Sequence, residues 1–166
     1  MDEVDRILEA WGRETPDLDV GPLRVFSRVG RLARHLDLAR KESFAIHGLD
    51  VWEFDVLAAL RREGSPYELS PGQLIQQTLS TSGTMTNRID RLAQRGMVQR
   101  LPDPRDRRGV RVRLLSRGRD AVEHALTDLL DFERRMLVVL SEEECNQAAG
   151  LLRRLVAPFE GEGANG

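Results

Sequence analysis

A single cysteine, Cys145, is all the thiol chemistry this sequence offers, which excludes an intramolecular disulfide and a thiolate zinc cluster and points to a reducing compartment. Histidine is nearly as scarce, three in 166 residues with no paired spacing, so no metal site is expected. No stretch approaches the ~18 consecutive apolar residues of a membrane helix, and the acidic start Met1-Asp2-Glu3-Val4-Asp5 has no apolar run behind it. The expectation is a cytoplasmic protein, neither secreted nor membrane-spanning. Also missing are a Gly-rich phosphate loop, a nucleophile elbow, a metal motif and a histidine-centred constellation, which argues against an enzyme. No cofactor is called for.

What remains is the composition of a soluble globular chain, 40% hydrophobic and 31% charged. Its 166 residues make one ordinary domain, able to bury roughly 70% of its unfolded surface. With a formal net charge of -2 and a pI near 6.0, the chain is not built to coat nucleic acid indiscriminately. Positive charge is instead local. Between Arg100 and Arg113 lie six arginines against two aspartates, a net +4.

That cluster follows two helix signals. In Leu69-Ser70-Pro71-Gly72-Gln73-Leu74-Ile75 a hydroxyl cap precedes a proline in the first turn, where a missing N–H costs nothing. Small hydroxyl residues from Thr78 to Ser82 break the pattern, and Thr81 or Ser82 caps a second helix that runs through Arg95 and stops at Gly96. On it Met85, Ile89 and Leu92 recur at helical spacing and are expected to bury. Gly83, Thr84, Asn87, Arg91 and Gln94 then face outward, with Ser82 and Thr86 beside them. Such a face fits a major groove about 12 Å wide, Thr and Asn meeting base edges and Arg91 a phosphate or guanine. A merely solvated helix face would look the same. The next segment decides between them.

Met97-Val98-Gln99-Arg100-Leu101 and Gly109-Val110-Arg111-Val112-Arg113-Leu114 alternate apolar and polar residues, as half-buried strands do. Between them Pro102-Asp103-Pro104-Arg105-Asp106-Arg107-Arg108 is rich in turn formers and predicts a hairpin tip. Arginine suits a narrow minor groove, whose negative potential attracts a guanidinium, while neighbouring arginines neutralise phosphates. Two helices and a basic hairpin predict a winged helix-turn-helix over residues 50–115.

The pattern Leu92…Gly96-Met97-Val98…Arg100…Asp103-Pro104…Asp106-Arg107-Arg108-Gly109…Val112…Leu114-Leu115-Ser116…Gly118 resembles the DNA-binding domain of MarR-type transcriptional regulators. The resemblance implies that Arg108 enters the minor groove and that Asp106 holds it in place, with Arg105 and Arg107 beside them. Ser116 stands where the family more often has Thr, and either hydroxyl caps the helix that follows.

Upstream, Val4, Ile7, Leu8 and Trp11 mark a short amphipathic helix ended by Gly12 and Thr15-Pro16-Asp17. Asp19 and Pro22 restart the chain as a long helix with Val25, Val29, Leu32, Leu36 and Ala39 on one stripe, ending near Gly48. Asp50 caps a third helix, Val51 to Arg62, closed by Gly64. Within its apolar run Phe54-Asp55-Val56-Leu57-Ala58-Ala59-Leu60, the lone carboxylate of Asp55 needs a partner. Arg88, on the inward edge of the reader helix, is a matching oddity. The two either form a structural ion pair or line a pocket for an anion. Trp11, Asp55, Arg88 and Arg100, with Thr86-Asn87-Arg88-Ile89-Asp90-Arg91-Leu92, are similar to the urate-responsive subgroup of the family. That resemblance implies a ligand pocket lined by those four residues, for a small anion of purine or organic-acid type.

Downstream, Val122, Ala125, Leu129, Phe132, Met136 and Val139 mark another long helix. Ser141 with Glu142, Glu143 and Glu144 starts a last helix, on which Cys145, Ala148, Leu152, Leu155 and Phe159 form one stripe. Cys145 reads as core; the redox-sensor role known in some family members lacks a flanking basic residue here. The tail Gly161-Glu162-Gly163-Ala164-Asn165-Gly166 is expected to be disordered. The fold class is therefore mainly α (α+β), a winged helix-turn-helix with dimerisation helices at 1–48 and 116–160, because the flanking stripes exceed what one small winged domain covers. The function expected is a repressor that binds a pseudo-palindromic operator in double-stranded DNA as a homodimer and lets go when the anion binds. The alternative is a winged-helix protein-interaction module without ligand control.

Overall fold

The computed structural model describes residues 1–104 and 106–160, with the backbone alone at 107 and 108. Arg105 at the wing tip and the expected disordered tail, 161–166, lie outside the described residues. In order the elements are α1 (Glu3–Glu14), α2 (Leu23–Ile46), α3 (Val51–Arg62), β1 (Glu68–Leu69), α4 (Pro71–Thr78), α5 (Ser82–Gln94), β2 (Val98–Asp103), β3 (Asp106–Leu114), α6 (Ser116–Leu137) and α7 (Glu142–Glu160). The chain is mainly α with one small antiparallel sheet, as its periodicities predict. It divides into two compact units, Met1–Leu126 and Thr127–Gly166.

In the first unit the core is the apolar side of α3 met by single residues from its neighbours. Val56, Leu57 and Leu60 of α3 are sealed from solvent together with Phe44 of α2, Leu74 of α4, and Met85, Ile89 and Leu92 of α5. The rings of Phe44 and Phe54 stack with centroids 3.9 Å apart, fixing α2 against α3. Burying each of these large side chains stabilises the fold by about 1.5–3 kcal/mol. Ser70 caps α4 as expected, its hydroxyl accepting from the N–H of Gln73 at 3.2 Å while the Gln73 side chain accepts from the N–H of Ser70 at 2.9 Å.

The N-terminal helix does not stop at Gly12. It continues to Glu14 and ends where Thr15 folds back, its N–H donating to the carbonyl of Trp11 at 2.8 Å and its hydroxyl at 2.9 Å. Its other end is clamped. Asp2 and Asp5 cap each other's backbone, and Arg28 of α2 donates to Asp2 at 2.8 Å and to Asp5 at 2.6 Å. These backbone and guanidinium donors hold both carboxyls below the usual aspartate range.

The sheet has the order β1-β3-β2. The sequence gives no sign of β1, whose two residues pair Glu68 with Arg113 and Leu69 with Val112. The hairpin strands also run further toward the tip than expected, from Val98 opposite Leu114 to Asp103 opposite Asp106, with a register shift after Pro102. Pro102 is tolerated because β2 is an edge strand, where a missing N–H breaks no ladder. At Gly109 a Cβ would stand 2.8 Å from that of Asp103 and 3.1 Å from that of Asp106, so glycine permits the crossing. At Gly118, in the first turns of α6, an added Cβ would collide with the carbonyl of Met97.

The second unit holds the end of α6 and all of α7. Ser141 caps α7 as predicted, its hydroxyl accepting from the N–H of Glu144 at 3.2 Å and its own N–H donating to that carboxylate at 2.8 Å. No residue of α7 is buried, and Leu151, Leu152, Leu155, Val156 and Phe159 are exposed. Cys145, expected in the core, is only half-buried, on a helix none of whose residues is buried. The stripe of α2 behaves likewise: Ala39 and Phe44 bury, while Val25, Val29 and Leu32 stay exposed. Among the described residues no helix is long and apolar enough to cross a membrane.

Candidate nucleic-acid interface

The second helix of the pair, α5, is anchored by three side chains and presents the rest. Met85, Ile89 and Leu92 are at most 1% exposed, whereas Ser82, Gly83, Thr84, Thr86, Asn87 and Arg91 are all exposed. The spacing that buries one face therefore delivers the expected polar face to solvent. Thr81 donates its hydroxyl to that of Thr84 at 2.9 Å, and Thr86 donates to the carbonyl of Ser82 at 3.3 Å, which orders the first turn. The end of α5 is fixed from outside: Arg95 donates to the buried carboxylate of Glu53 on α3 at 2.5 Å and to the carbonyl of Gly48 at 2.7 Å.

The wing is braced at its base and carries charge toward its tip. Arg113 is paired with Glu68 of β1, Arg111 lies 3.6 Å from Asp103 and donates to Gln73 of α4 at 3.2 Å. Asp106 is exposed at the start of β3. The side chains of Arg107 and Arg108, like all of Arg105, lie outside the described residues.

The four residues expected to line an anion pocket make no contact with one another among the described interactions. Asp55 is engaged not by Arg88 but by Arg40 of α2, at 2.9 Å, because α2 passes closer to that turn of α3 than α5 does. Arg88 lies over the ring of Trp52, 5.5 Å from its centroid. Arg100 pairs with Asp90 at 2.8 Å, and its other contact is the carbonyl of Thr86 at 3.4 Å. Trp11 sits near the end of α1 and is 47% exposed.

Sequence reasoning passed over Trp52. With Gly83, Thr84, Asn87, Arg88 and Arg91 it lines an open groove of about 410 Å³ along the exposed side of α5. Arg91 also lies over its ring, at 4.9 Å, and comes within 4.0 Å of Asp50. The indole N–H donates to Asp50 at 3.3 Å, which sets the ring's tilt. Glu53 was legible only as the third residue after the Asp50 cap; its pairing with Arg95 is not, because 42 residues separate them. A second, apolar cleft of about 170 Å³ lies between α3 and α6, lined by Phe54, Ala58, Val122 and Leu126 with Arg61 and Glu123 paired at 2.6 Å on its rim.

A model of the MarR family matches residues 47–109 of this chain. The HTH-type transcriptional regulator PecS of Dickeya dadantii (strain 3937) is 37% identical over 153 residues, 92% of each chain. Among solved structures, E. coli MarR C80S complexed with operator DNA superposes with a TM-score of 0.68 at 24% identity, over 88% of this chain and 97% of that one. Bordetella bronchiseptica BpsR, whose structure is described as the mechanism for regulation of its DNA binding by 6-hydroxynicotinic acid, gives a TM-score of 0.59 at 28% identity, over 77% and 98%.

Proposed function

Because this chain belongs to the MarR family of winged-helix transcriptional regulators, we propose that it represses transcription by holding a pseudo-palindromic operator as a homodimer, and that a small organic anion releases it. The observation that carries the DNA reading is the exposed row Ser82, Gly83, Thr84, Thr86, Asn87 and Arg91 on α5, next to a hairpin with six arginines between Arg100 and Arg113. One such helix spans only a few base pairs. Two related by a twofold axis reach half-sites about one helical turn apart.

A second copy also accounts for the uncovered apolar rows, Val25, Val29 and Leu32 on α2 and Leu151, Leu152, Leu155 and Phe159 on α7. Patches of that kind on a soluble chain mark association surfaces. The anion reading rests on Arg88, which has no acidic partner among the described residues, and on the ligand named for BpsR. By linkage, an anion preferring the state with misaligned reader helices by about 3 kcal/mol weakens operator binding roughly 150-fold.

The test is a gel-shift titration on the promoter region of the protein's own gene, with and without urate and 6-hydroxynicotinate. Expected are a retarded complex that the anion dissolves, an Arg108→Ala variant with a shallower salt dependence, and an Arg88→Ala variant that binds DNA but ignores the anion. A chain that retards no duplex at modest salt refutes the DNA reading; a complex indifferent to both anions refutes the ligand reading for those compounds.

A further inference from the structure

Arginines close to the reader helix are held in two different ways. Arg95 and Arg100 have the N–H edges of their guanidiniums engaged, by Glu53 and Gly48 in one case and by Asp90 and Thr86 in the other. Arg88 and Arg91 are held instead over an aromatic ring. Both lie over the ring of Trp52, at 5.5 and 4.9 Å from its centroid, and among the described residues neither donates a hydrogen bond. Among the described residues the one ion pair made by either is with Asp50, 4.0 Å from Arg91, and that carboxylate already accepts from the indole N–H.

Face and edge do different work in a guanidinium. The flat face stacks on an aromatic ring, while the five N–H groups radiate in the plane, in the fork that matches guanine O6 and N7 or two phosphate oxygens. A long arginine on an exposed helix otherwise wanders among rotamers, and ordering it costs affinity whenever it binds. Stacking on a ring restricts those rotamers in advance and leaves every donor available. We propose that Trp52 is a positioning residue for operator recognition: from α3, outside the helix-turn-helix pair, it holds the Arg91 guanidinium in the orientation that meets the DNA. This rests on the DNA reading of α5 given above. Trp52 touches no base itself and acts through Arg91.

Its position suits the role. Trp52 lies in the first turn of α3, whose next residue, Glu53, is tied to Arg95 at the end of α5, so the ring and the helix it serves are fixed to each other. The indole is itself half-exposed rather than core, which makes its removal separable from unfolding.

The experiment measures binding of wild type, Trp52→Leu, Trp52→Phe, Arg91→Ala and the double variant Trp52→Leu/Arg91→Ala to two duplexes, the promoter region of the protein's own gene and a scrambled duplex of equal length. Thermal unfolding is recorded for each variant. Expected for Trp52→Leu is about a tenfold loss on the promoter duplex, the size of one or two cation–π contacts, with little change on the scrambled duplex and an unchanged salt slope, since no charge is lost. Trp52→Phe, which keeps a ring, recovers most of the loss. The double variant binds no worse than Arg91→Ala alone. The assignment is overturned by a Trp52→Leu chain that binds the promoter duplex as wild type does, by an equal loss on both duplexes with a lowered unfolding temperature, or by additive losses in the double variant. A wild-type chain that cannot tell the duplexes apart refutes the DNA reading itself, before any variant is made.

Discussion

Arg95 closes the reader helix by reaching 42 residues back to Glu53, whose carboxylate is 2% exposed and the only buried charged side chain among the described residues. The same carboxylate accepts from the backbone N–H of Asp50 at 3.0 Å, so one acidic group ties the end of α5 to the start of α3. Removing the arginine leaves a buried charge with one weak partner, which is costlier than removing both. Arg95→Ala is expected to destabilise the fold by about 2 kcal/mol, discounted for the half-exposed guanidinium, and Glu53→Gln by about 1 kcal/mol. Denaturant midpoints at unchanged slope measure both. An Arg95→Ala chain as stable as wild type would show that the contact carries no energy.

Leu79 offers the opposite sign. It ends α4 in the left-handed region, at φ 50° and ψ 38°, and its side chain is 95% exposed, so it gains no burial for the conformation it adopts. Glycine takes that backbone without steric cost but loses more entropy on folding. Relief should outweigh entropy here. Leu79→Gly is expected to stabilise the fold by about 0.5 kcal/mol, seen as a higher denaturation midpoint.

The clamp of α1 on α2 sets a pH dependence. Asp2 and Asp5 are held below their ordinary values first by each other's backbone N–H and then by Arg28. A carboxyl whose folded value is depressed stabilises the fold above its unfolded value and ceases to as pH falls through the folded one. Docking of residues 3–14 should therefore be constant from neutral pH down to about pH 4 and loosen only below that. Hydrogen exchange of that segment, corrected for the intrinsic rate, follows it. Arg28→Ala should raise exchange there at neutral pH and leave the rest of the first unit unchanged.

If α7 lies in a twofold interface, a charge in its apolar row disrupts assembly. Leu152→Asp should weaken self-association at least 100-fold, about 3 kcal/mol, by burying an unpaired carboxylate. Sedimentation velocity distinguishes one chain from two. A Leu152→Asp chain that sediments as wild type would move the interface elsewhere.

How much of this could be read from residues alone follows the range of the interactions involved. Periodicity and caps are local, so α3, α4 and α5 emerge with nearly their observed limits, and the outward face of α5 with them, whereas the hairpin strands come out two to three residues short at the tip. Pairings across the chain were not legible. Asp55 was correctly marked as a carboxylate in need of a cation, but nothing in its neighbourhood distinguishes Arg40 from Arg88; only the path of α2 does. Glu68 and Leu69 form a strand only because Arg113 and Val112 are there to pair with them. Trp52 looked like one more apolar residue of a helix start, since stacking under two arginines leaves no trace in the spacing of α3.

Gly118 decides how closely α6 can seat. With no side chain at that position, the opening of α6 rests against the carbonyl of Met97, the last residue before β2. A methyl group there would act as a shim, prising the long helix off the turn between α5 and β2. Without it the two backbones stay in touch, so the start of α6 and the turn joining α5 to β2 are seated as one piece.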